Sequence, residues 1–423
     1  MKFLFLSQTG DGLGVAQRVR LEGHEVAVWI KNKEYHRSGL GIVERPASWR
    51  ERLKWADIFI CDMVGMGQFE SVLKATGKPY LCCSPLMDRL ELNRAAGMEV
   101  FRRAGISIPK TADYNSPKEA QETLSKIEWT KGFALKADGN IGCDLTKIVK
   151  EKEQLGWALD LYPANCHLLV QELVDGIEVS TEGWFNGVDW IHPFNHTFEE
   201  KRFMEGNLGP NTGCMGNVVL ARESNKLTRA TVERLKPFLA KIKWRGPVDV
   251  NCIVNEKGAY ALEATARFGY DAIEALLEGL RGNVGVFLHD VARGGMVKMD
   301  LTDDAMICVR LTVPPYPLED VKQTEWGEPI LGINENNVNH LWLCNVFVGE
   351  GDKFFRVADA DGVVLKATAR GQRKGADLTG QARDRVYRTM ENVRLGGKQY
   401  RLDIGRRVNG DVKQLVEWGW LES

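Results

Sequence analysis

Short apolar runs alternate with helical segments over the first ninety residues, and this alternation constrains the fold more than any other feature. The apolar runs are residues 2–6, 25–30, 58–61 and 80–83, and the helical segments include residues 15–22 and 49–55. Strands that alternate with helices form parallel sheets with helices packed on both faces. We therefore predict an α/β fold that begins with a doubly wound parallel-sheet domain at residues 1–90.

Antiparallel hairpins are predicted after this first unit. A helical stretch at residues 90–104 precedes apolar runs at 133–137, 168–174, 178–184, 248–254 and 259–264. Hairpins with few helices are typical of a cover over a cleft rather than of more parallel sheet. We predict a central domain at residues 91–300, with a covering subdomain at 110–190. A small mixed α/β domain at 301–423 is predicted to be a separate unit that ends with a polar helix at 380–392.

Charge and composition limit the partners of the chain. The 56 basic residues nearly balance the 57 acidic residues, so no global field favours nucleic acid or acidic membranes. No run of eighteen apolar residues predicts a membrane span, and the apolar start is too short for a signal peptide. The nine cysteines lack the spacing of zinc sites or of secreted disulfide frameworks. We expect a cytoplasmic protein, as a monomer or homodimer, that acts on small molecules.

A glycine-rich segment at residues 201–216 carries the strongest chemical signal. Lys201 offers a positive charge, and Asn211 and Thr212 offer neutral hydrogen-bonding groups. The positions suited to close backbone approach to a ligand are Gly209, Pro210, Gly213, Met215 and Gly216. A polar surface turn is the alternative interpretation for a segment of this composition.

Residues 209–216 resemble the Gly-Pro-Asn-Thr-Gly-Gly-Met-Gly loop of glycinamide ribonucleotide synthetases, matching seven of eight positions, with Cys214 as the exception. Residues 263–269 and 400–405 are similar to the Glu-Phe-Asn-Cys-Arg-Phe-Gly and closing Arg-x-Asp-Ile-Gly motifs of that family. This nearly full-length resemblance implies an ATP-grasp domain pair in the central region. It implies a ligase that activates a carboxylate with ATP, forms an acyl phosphate and joins it to an amine. In that family the reaction serves purine biosynthesis.

The resemblance also implies how ATP is held. Lys136 is expected to meet the phosphates, with a surface lysine as the alternative. The linker that pairs with adenine is expected at Gln171, Glu172, Leu173 and Val174. Glu178 is expected to accept the ribose hydroxyls, with an ordinary solvated strand glutamate as the alternative. Arg267, together with Lys201, Asn211 and Thr212, is expected to stabilise the phosphoryl group in transfer.

Magnesium is the second implied cofactor, and Glu263 is its leading ligand because a carboxylate follows an apolar strand there. Thr265 stands where the family carries an Asn. Asp249 and Asn251 precede this strand on the other arm of a predicted hairpin and complete the expected site. For Asp249, a structural residue at a turn is an equally good interpretation.

Departures from the family gather on the acceptor side. Residues 10–14 replace a Gly-Gly-Arg-Glu-His segment, and Asp11 would repel a phosphate there. Asn207 replaces an acid, and Arg94 stands near an expected lysine. Three functions remain open: a distant glycinamide ribonucleotide synthetase, a ligase that joins glycine or another amino acid to a different amine, or a nucleotide-binding pseudoenzyme.

Overall fold

A four-stranded parallel sheet forms the N-terminal part of the chain, in a computed structural model that describes residues 1–137, 146–269, 271–318, 326–358 and 360–422. Its strands are β1 (Lys2–Ser7), β2 (Glu25–Ile30), β3 (Ile58–Cys61) and β4 (Tyr80–Leu81), in the order β2-β1-β3-β4. The accompanying helices are α1 (Leu13–Leu21), α2 (Glu70–Ala75), α3 (Pro85–Leu92) and α4 (Arg94–Ala104). The predicted parallel α/β sheet is confirmed.

Two helix predictions in this part needed correction. The segment at 49–55 forms only the short 3₁₀ turn Trp49–Arg52. The single helix predicted at 90–104 is two helices, α3 and α4, which meet at Asn93. The side chain of Asn93 accepts a hydrogen bond from the Ala96 N–H at 2.7 Å, because an amide at an N-cap satisfies a donor that the new helix leaves open.

A small antiparallel sheet follows, with its own core. It contains β5 (Thr111–Tyr114), β6 (Phe133–Ala137), β7 (Thr146–Val149) and β8 (Leu168–Glu172), in the order β5-β8-β6-β7, and the helices α5 (Pro117–Leu124) and α6 (Leu155–Asp160). Its apolar cluster, centred on Leu135, Leu168 and Val170, is distinct from the main core. The glycine loop predicted after Lys136 falls in residues 138–145, outside the described residues.

An eight-stranded antiparallel sheet dominates the rest of the chain. The remaining strands are β9 (Ile177–Asn186), β10 (Trp190–Glu199), β11 (Arg202–Met204), β12 (Leu208–Asn211), β13 (Gly216–Arg222), β14 (Arg245–Asn255), β15 (Gly258–Thr265), β16 (Ala305–Thr312), β17 (Pro329–Ile330), β18 (Leu341–Leu343), β19 (Val346–Phe347), β20 (Phe355–Val357) and β21 (Val363–Gly371). The large sheet runs β15-β14-β9-β10-β13-β16-β21-β18. The remaining helices are α7 (Lys226–Ala230), α8 (Lys236–Ile242), α9 (Ala272–Gly279), α10 (Val284–Ala292), α11 (Gly380–Asn392) and α12 (Val408–Glu417).

Three C-terminal strands, β16, β21 and β18, continue this large sheet, whereas β17, β20 and β19 form a three-stranded sheet of their own. β16 pairs with β13 on one side and with β21 on the other, so the sheet crosses the boundary predicted near residue 300. The boundary itself stays a prediction. The polar helix at 380–392 is present as α11, but it does not end the unit, because α12 follows and buries Val408, Val412 and Leu415. Side chains at this spacing share one helical face, which packs inward.

Candidate active site

The β14–β15 hairpin brings the four predicted magnesium ligands together. Asn251 lies opposite Glu263, and Asp249 lies opposite Thr265, in the register of the two strands. Residues two apart on a strand face the same side of the sheet, so the four side chains share one face. Asp249, Glu263 and Thr265 line one pocket. The hairpin therefore supports the predicted grouping, and the metal role of each residue stays a prediction.

Lys201 lies at the centre of a partly exposed charge network at this pocket. Its Nζ is 3.0 Å from Glu178 Oε1, 3.4 Å from Glu263 Oε1 and 3.5 Å from Glu199 Oε2. Although burial lowers the pKa of Lys201, these three carboxylates raise it well above its ordinary value. Lys201 in turn holds the pKa of Glu263 far below its usual range and also lowers that of Glu178. Lys201 and Glu263 are thus both charged at neutral pH.

Glu178 is already bonded to two side chains of the site. Besides its contact with Lys201, it accepts a hydrogen bond from Asn251 Nδ2 at 2.9 Å. Its predicted contact with ribose stays untested, and a ligand would have to share this carboxylate with Lys201. The Asn251 amide nitrogen is occupied by the same bond, which leaves its carbonyl oxygen as the group able to meet a cation.

Lys136 extends from the small sheet to the strand that carries Glu263. It is the next-to-last residue of β6, is 6% exposed, and its Nζ lies 3.5 Å from the carbonyl oxygen of Leu262 on β15. Within the described ranges it makes no ion pair, and burial lowers its pKa to about 8 while the nearby Glu263 opposes that shift. A buried ammonium without a paired acid fits an anionic ligand such as a phosphate. The surface-lysine alternative does not describe this position.

Arg267 is fixed beside the pocket by an acid that the sequence analysis did not identify. Its Nε donates to Glu91 Oε1 at 2.9 Å, and its Nη1 donates to the Phe268 carbonyl at 2.9 Å. Glu91 also accepts from the Ala266 N–H at 3.1 Å. Burial raises the pKa of Glu91, and Arg267 partly offsets the rise. Glu91 comes from α3, so no local pattern around residue 267 could identify it.

The predicted adenine linker is already partly hydrogen-bonded. The Glu172 N–H donates to the Lys110 carbonyl at 2.9 Å, and the Leu173 N–H donates to the Gly132 carbonyl at 3.2 Å. Gln171 is buried with Oε1 lacking a hydrogen-bond partner in the described structure. Val174 follows the end of β8. Adenine recognition by this linker stays a prediction, and it would rely on the groups that these bonds leave open.

The glycine-rich segment forms a hairpin of β11 and β12. Thr212 is tied to Lys201, since both its N–H and its Oγ1 donate to the Lys201 carbonyl, at 2.8 and 2.9 Å. Asn211, Gly209 and Pro210 are exposed at the hairpin, and Gly213 lines the pocket. Met215 and Gly216 are buried instead, with the Met215 N–H donating to the Glu200 carbonyl and its carbonyl accepting from Arg310. Met215 therefore packs in the protein core, and its side chain is not exposed to contact a substrate.

Two segments singled out by the sequence meet here, although they are almost 200 residues apart. Arg401 is 2% exposed, and its guanidinium donates to the Arg202 carbonyl at 2.8 Å and to Asp403 Oδ1 at 2.7 Å. Asp403 Oδ2 accepts from the Gly206 N–H at 2.9 Å. The closing Arg-x-Asp motif therefore holds the glycine-rich hairpin in position.

Three amides of the N-terminal glycine turn, those of Gly10, Gly12 and Leu13, are already hydrogen-bonded within the protein. The Gly12 N–H donates to Asp62 Oδ2 at 2.6 Å, and the Gly10 N–H donates to Ser7 Oγ at 2.7 Å. Burial raises the pKa of Asp62 to about 7. Asp62 thus takes the place at the start of α1 where a bound anion would lie. Leu13 is fully buried, so this position could not present an arginine to a ligand.

Glu182 and Glu199 line the pocket and were also missed. Burial raises the pKa of Glu182 to about 8, and burial also raises the pKa of Glu199, against the opposing effect of Lys201. Burial likewise raises that of Asp249 well above its ordinary value. The signal in the sequence was a second acid, at position 182, inside a strand whose only other charged residue is Glu178.

The donor set suits magnesium bound together with a nucleotide. No group of three or more His, Cys, Asp or Glu side chains in the described part of the chain could hold a metal alone. Magnesium in nucleotide sites takes one or two carboxylates and completes its shell with phosphates and water. The ionised Glu263, with the oxygens of Asn251 and Thr265, meets that requirement.

Comparisons with known proteins agree with the geometry. Residues 95–272 match the family described as phosphoribosylglycinamide synthetase, ATP-grasp (A) domain. The chain is 28% identical to the phosphoribosylamine–glycine ligase of Streptomyces coelicolor over 80% of each chain, and 26% identical to that of Leifsonia xyli over 79% of this chain and 80% of the relative.

Solved structures share the fold. The phosphoribosylamine–glycine ligase of Thermotoga maritima has a TM-score of 0.74 and 21% sequence identity, and the match covers 96% of this chain and 100% of the Thermotoga chain. A biotin carboxylase from Campylobacter jejuni has a TM-score of 0.66 and 11% sequence identity, and the match covers 98% of this chain and 96% of the Campylobacter chain. Among the described residues, no helix is long and apolar enough to cross a membrane. The chain thus matches the ATP-grasp (A) domain of that family over its central region and is similar to phosphoribosylamine–glycine ligases over most of its length.

Proposed function

We propose that the protein is an ATP-dependent ligase that joins glycine to an amine. The terminal phosphoryl group of ATP passes to a carboxylate oxygen with release of ADP, and the amine nitrogen then displaces phosphate from the acyl carbon. The residues of this chain position the reactants and balance charge, which is the main contribution that phosphoryl transfer requires of a protein.

One observation carries this proposal: cations from three separate segments act on one ionised acid, Glu263. Lys201 Nζ lies 3.4 Å and Arg94 Nη1 lies 3.6 Å from its carboxylate, and the buried Lys136 also lowers its pKa. Arg267 lines the same pocket as Lys201 and Glu263. This arrangement suits a polyphosphate with a metal and an acyl group beside it. A decayed nucleotide site has no reason to keep these charges together, so the pseudoenzyme alternative is disfavoured.

The finer assignments follow from the relatives. The ligases of Streptomyces coelicolor and Leifsonia xyli are named for phosphoribosylamine and glycine, and we carry both substrates to this chain as a proposal. Magnesium would be held by Glu263, with Asn251 and Thr265, and would neutralise charge on the phosphates. We also propose a cytoplasmic location, a monomer or homodimer, and no nucleic-acid or membrane partner.

A different acceptor amine is the second candidate, and the N-terminal turn favours it. Asp62 caps the Gly12 amide, and Asp11 adds a further acid at the same turn. Two acids at the start of a helix oppose the binding of a ribose phosphate there. An amine without a phosphate would not meet this opposition.

Release of ADP separates these candidates. The protein is incubated with ATP, magnesium and each amino acid in turn, with or without phosphoribosylamine. Release that requires both glycine and phosphoribosylamine supports the first candidate, and release that requires glycine but ignores phosphoribosylamine supports the second. If no amino acid and amine together increase ADP release, the proposed ligase function is wrong. The variant Asp11→Asn should lower the KM for phosphoribosylamine only if that compound is the acceptor.

A further inference from the structure

One buried carboxylate in the pocket has no assigned task. Glu182 on β9 is 4% exposed and lines the same pocket as Lys201 and Arg267. Across the described residues, its oxygens take part in no ion pair and in no hydrogen bond of normal geometry. An interaction with the Trp184 indole N–H opposes the pKa rise that burial causes in Glu182, but that N–H makes no hydrogen bond of normal geometry in the described structure. A buried acid without a partner costs free energy, so its presence in a pocket calls for a ligand.

The register of the sheet places Glu182 in one row with two residues of the β14–β15 hairpin that also line the pocket. Glu182 lies opposite Asp249, which lies opposite Thr265, so these residues form one row across β9, β14 and β15. Asn251 and Glu263 lie in the adjacent row, two residues along the strands. Rows on one face are about 7 Å apart, from a rise of about 3.4 Å per residue. A small molecule can therefore contact both rows at once.

The walls around Glu182 leave room for a small group only. A methyl group added at Gly269 would lie 3.8 Å from Glu182 Oε2 and 3.3 Å from the Ala272 side chain. Thr197 and Ala272 also line this part of the pocket. The hydroxyl of Thr197 and the carboxylates of Glu182 and Asp249 provide oxygen acceptors there. An ammonium group has three donors and matches a small site of this kind.

The pocket is lined by charges of both signs. Lys201 and Arg267 offer cations, Glu199 and Glu263 pair with Lys201, and Glu182 and Asp249 take part in no ion pair among the described residues. A ligand that carries a carboxylate and an ammonium group on the same carbon fits this set of charges. A metal held by the acids alone does not, because the described side chains contain no group of three acids, histidines or cysteines placed for one.

We infer that Glu182 is a specificity-determining residue that receives the ammonium group of a small α-amino acid, whose carboxylate lies toward Lys201 and Arg267. Asp249 serves as the second acceptor of the ammonium group. Magnesium binding by Glu263 does not require Asp249. The inference rests on the proposed ligase function and adds to it the reason why an amino acid, rather than a simple carboxylic acid, would be selected.

The test compares glycine with acetate, which lacks the amine, in wild type and in Glu182→Gln. The variant keeps the shape but cannot ionise to receive an ammonium group. It should raise the KM for glycine by about tenfold or more, the scale of one hydrogen bond to a charged group. The KM for ATP should change by less than about twofold. The preference for glycine over acetate should fall by the same factor as the glycine KM rises.

A second measurement does not depend on turnover. In the presence of ADP and magnesium, glycine should raise the Tm of the wild type, because a ligand that binds only the folded state stabilises it. The same concentration should raise the Tm of Glu182→Gln less. Without ligand, the variant should be at least as stable as wild type, since an unpartnered buried acid has been removed. A merely structural glutamate would instead show a lower Tm and an unchanged KM for glycine.

Glu278→Gln is the matched control, since Glu278 is a buried glutamate paired with His340 outside the pocket. It should leave the KM for glycine unchanged. If wild type uses glycine but Glu182→Gln retains its KM and its preference over acetate, the inference is refuted while the ligase function stands. If wild type prefers acetate, the inference is also refuted. Absence of carboxylate-dependent ADP release under every condition would instead overturn the proposed function.

Discussion

Replacing Glu263 by Gln should separate catalysis from folding. The carboxylate has Lys201 Nζ at 3.4 Å and Arg94 Nη1 at 3.6 Å, and its side chain is 42% exposed. Ion pairs this exposed contribute about 0–1 kcal/mol, so the free energy of unfolding should change by less than about 1 kcal/mol. Since Lys201 holds the pKa of Glu263 far below its usual range, the substitution removes a full charge at any working pH.

The effect on turnover should be much larger. Loss of one preorganised charge that stabilises a transition state lowers kcat on the order of 10²-fold or more, which equals roughly 3 kcal/mol at about 1.4 kcal/mol per tenfold. The assay follows ADP release against magnesium concentration, and urea unfolding measures stability. Glu99→Gln is the control, because Glu99 is similarly exposed and paired with Arg103 outside the pocket. Unchanged kcat at saturating magnesium would show that Glu263 is not the metal ligand.

Three further outcomes are expected. Lys136→Met should raise the KM for ATP by about tenfold or more. Because burial lowers the pKa of Lys136 to about 8, the ATP affinity of the wild type should fall as pH rises through that value. If the variant kept the same pH dependence of ATP affinity, Lys136 would not be the phosphate-binding lysine. Arg401→Leu leaves Asp403 without its buried partner and leaves Glu200 paired with Arg407 alone, so it should destabilise the protein by about 3 kcal/mol in urea unfolding, with faster proteolysis of the glycine-rich hairpin. Equal stability would show that Arg401 does not hold that hairpin in position. Burial lowers the pKa of His196 from 6.5 to about 3, so the folded state keeps this ring neutral. The stability that the neutral ring contributes above pH 6.5 is therefore lost as pH falls toward 3. Measured as Tm against pH, His196→Gln should lose less stability than the wild type between pH 6.5 and 3.

Local pattern was enough to predict most of the elements that build the site. The β14–β15 hairpin was predicted because two apolar runs flank residues 255–258, and in the structure Asn255 Oδ1 accepts from the Lys257 and Gly258 N–H groups to form that turn. Strand β3 was predicted with its observed bounds, because a short buried run of a parallel sheet is apolar throughout. The motif around Glu263 and Arg267 identified the pocket, since its residues lie on one strand and its end.

The tertiary structure alone decided the partners of those residues. Lys201 meets Glu178 and Glu263, Arg267 meets Glu91, and Asp62 caps Gly12, and each pair joins segments that are far apart in sequence. Such contacts depend on which strands become neighbours, and that order is set by burying every sheet face at once rather than by any local period. For the same reason the sequence could not show that β16 joins the large sheet, or that an acid at position 182 faces the pocket. Residue type and spacing determined the chemistry available to this protein, and packing decided which of those groups act together.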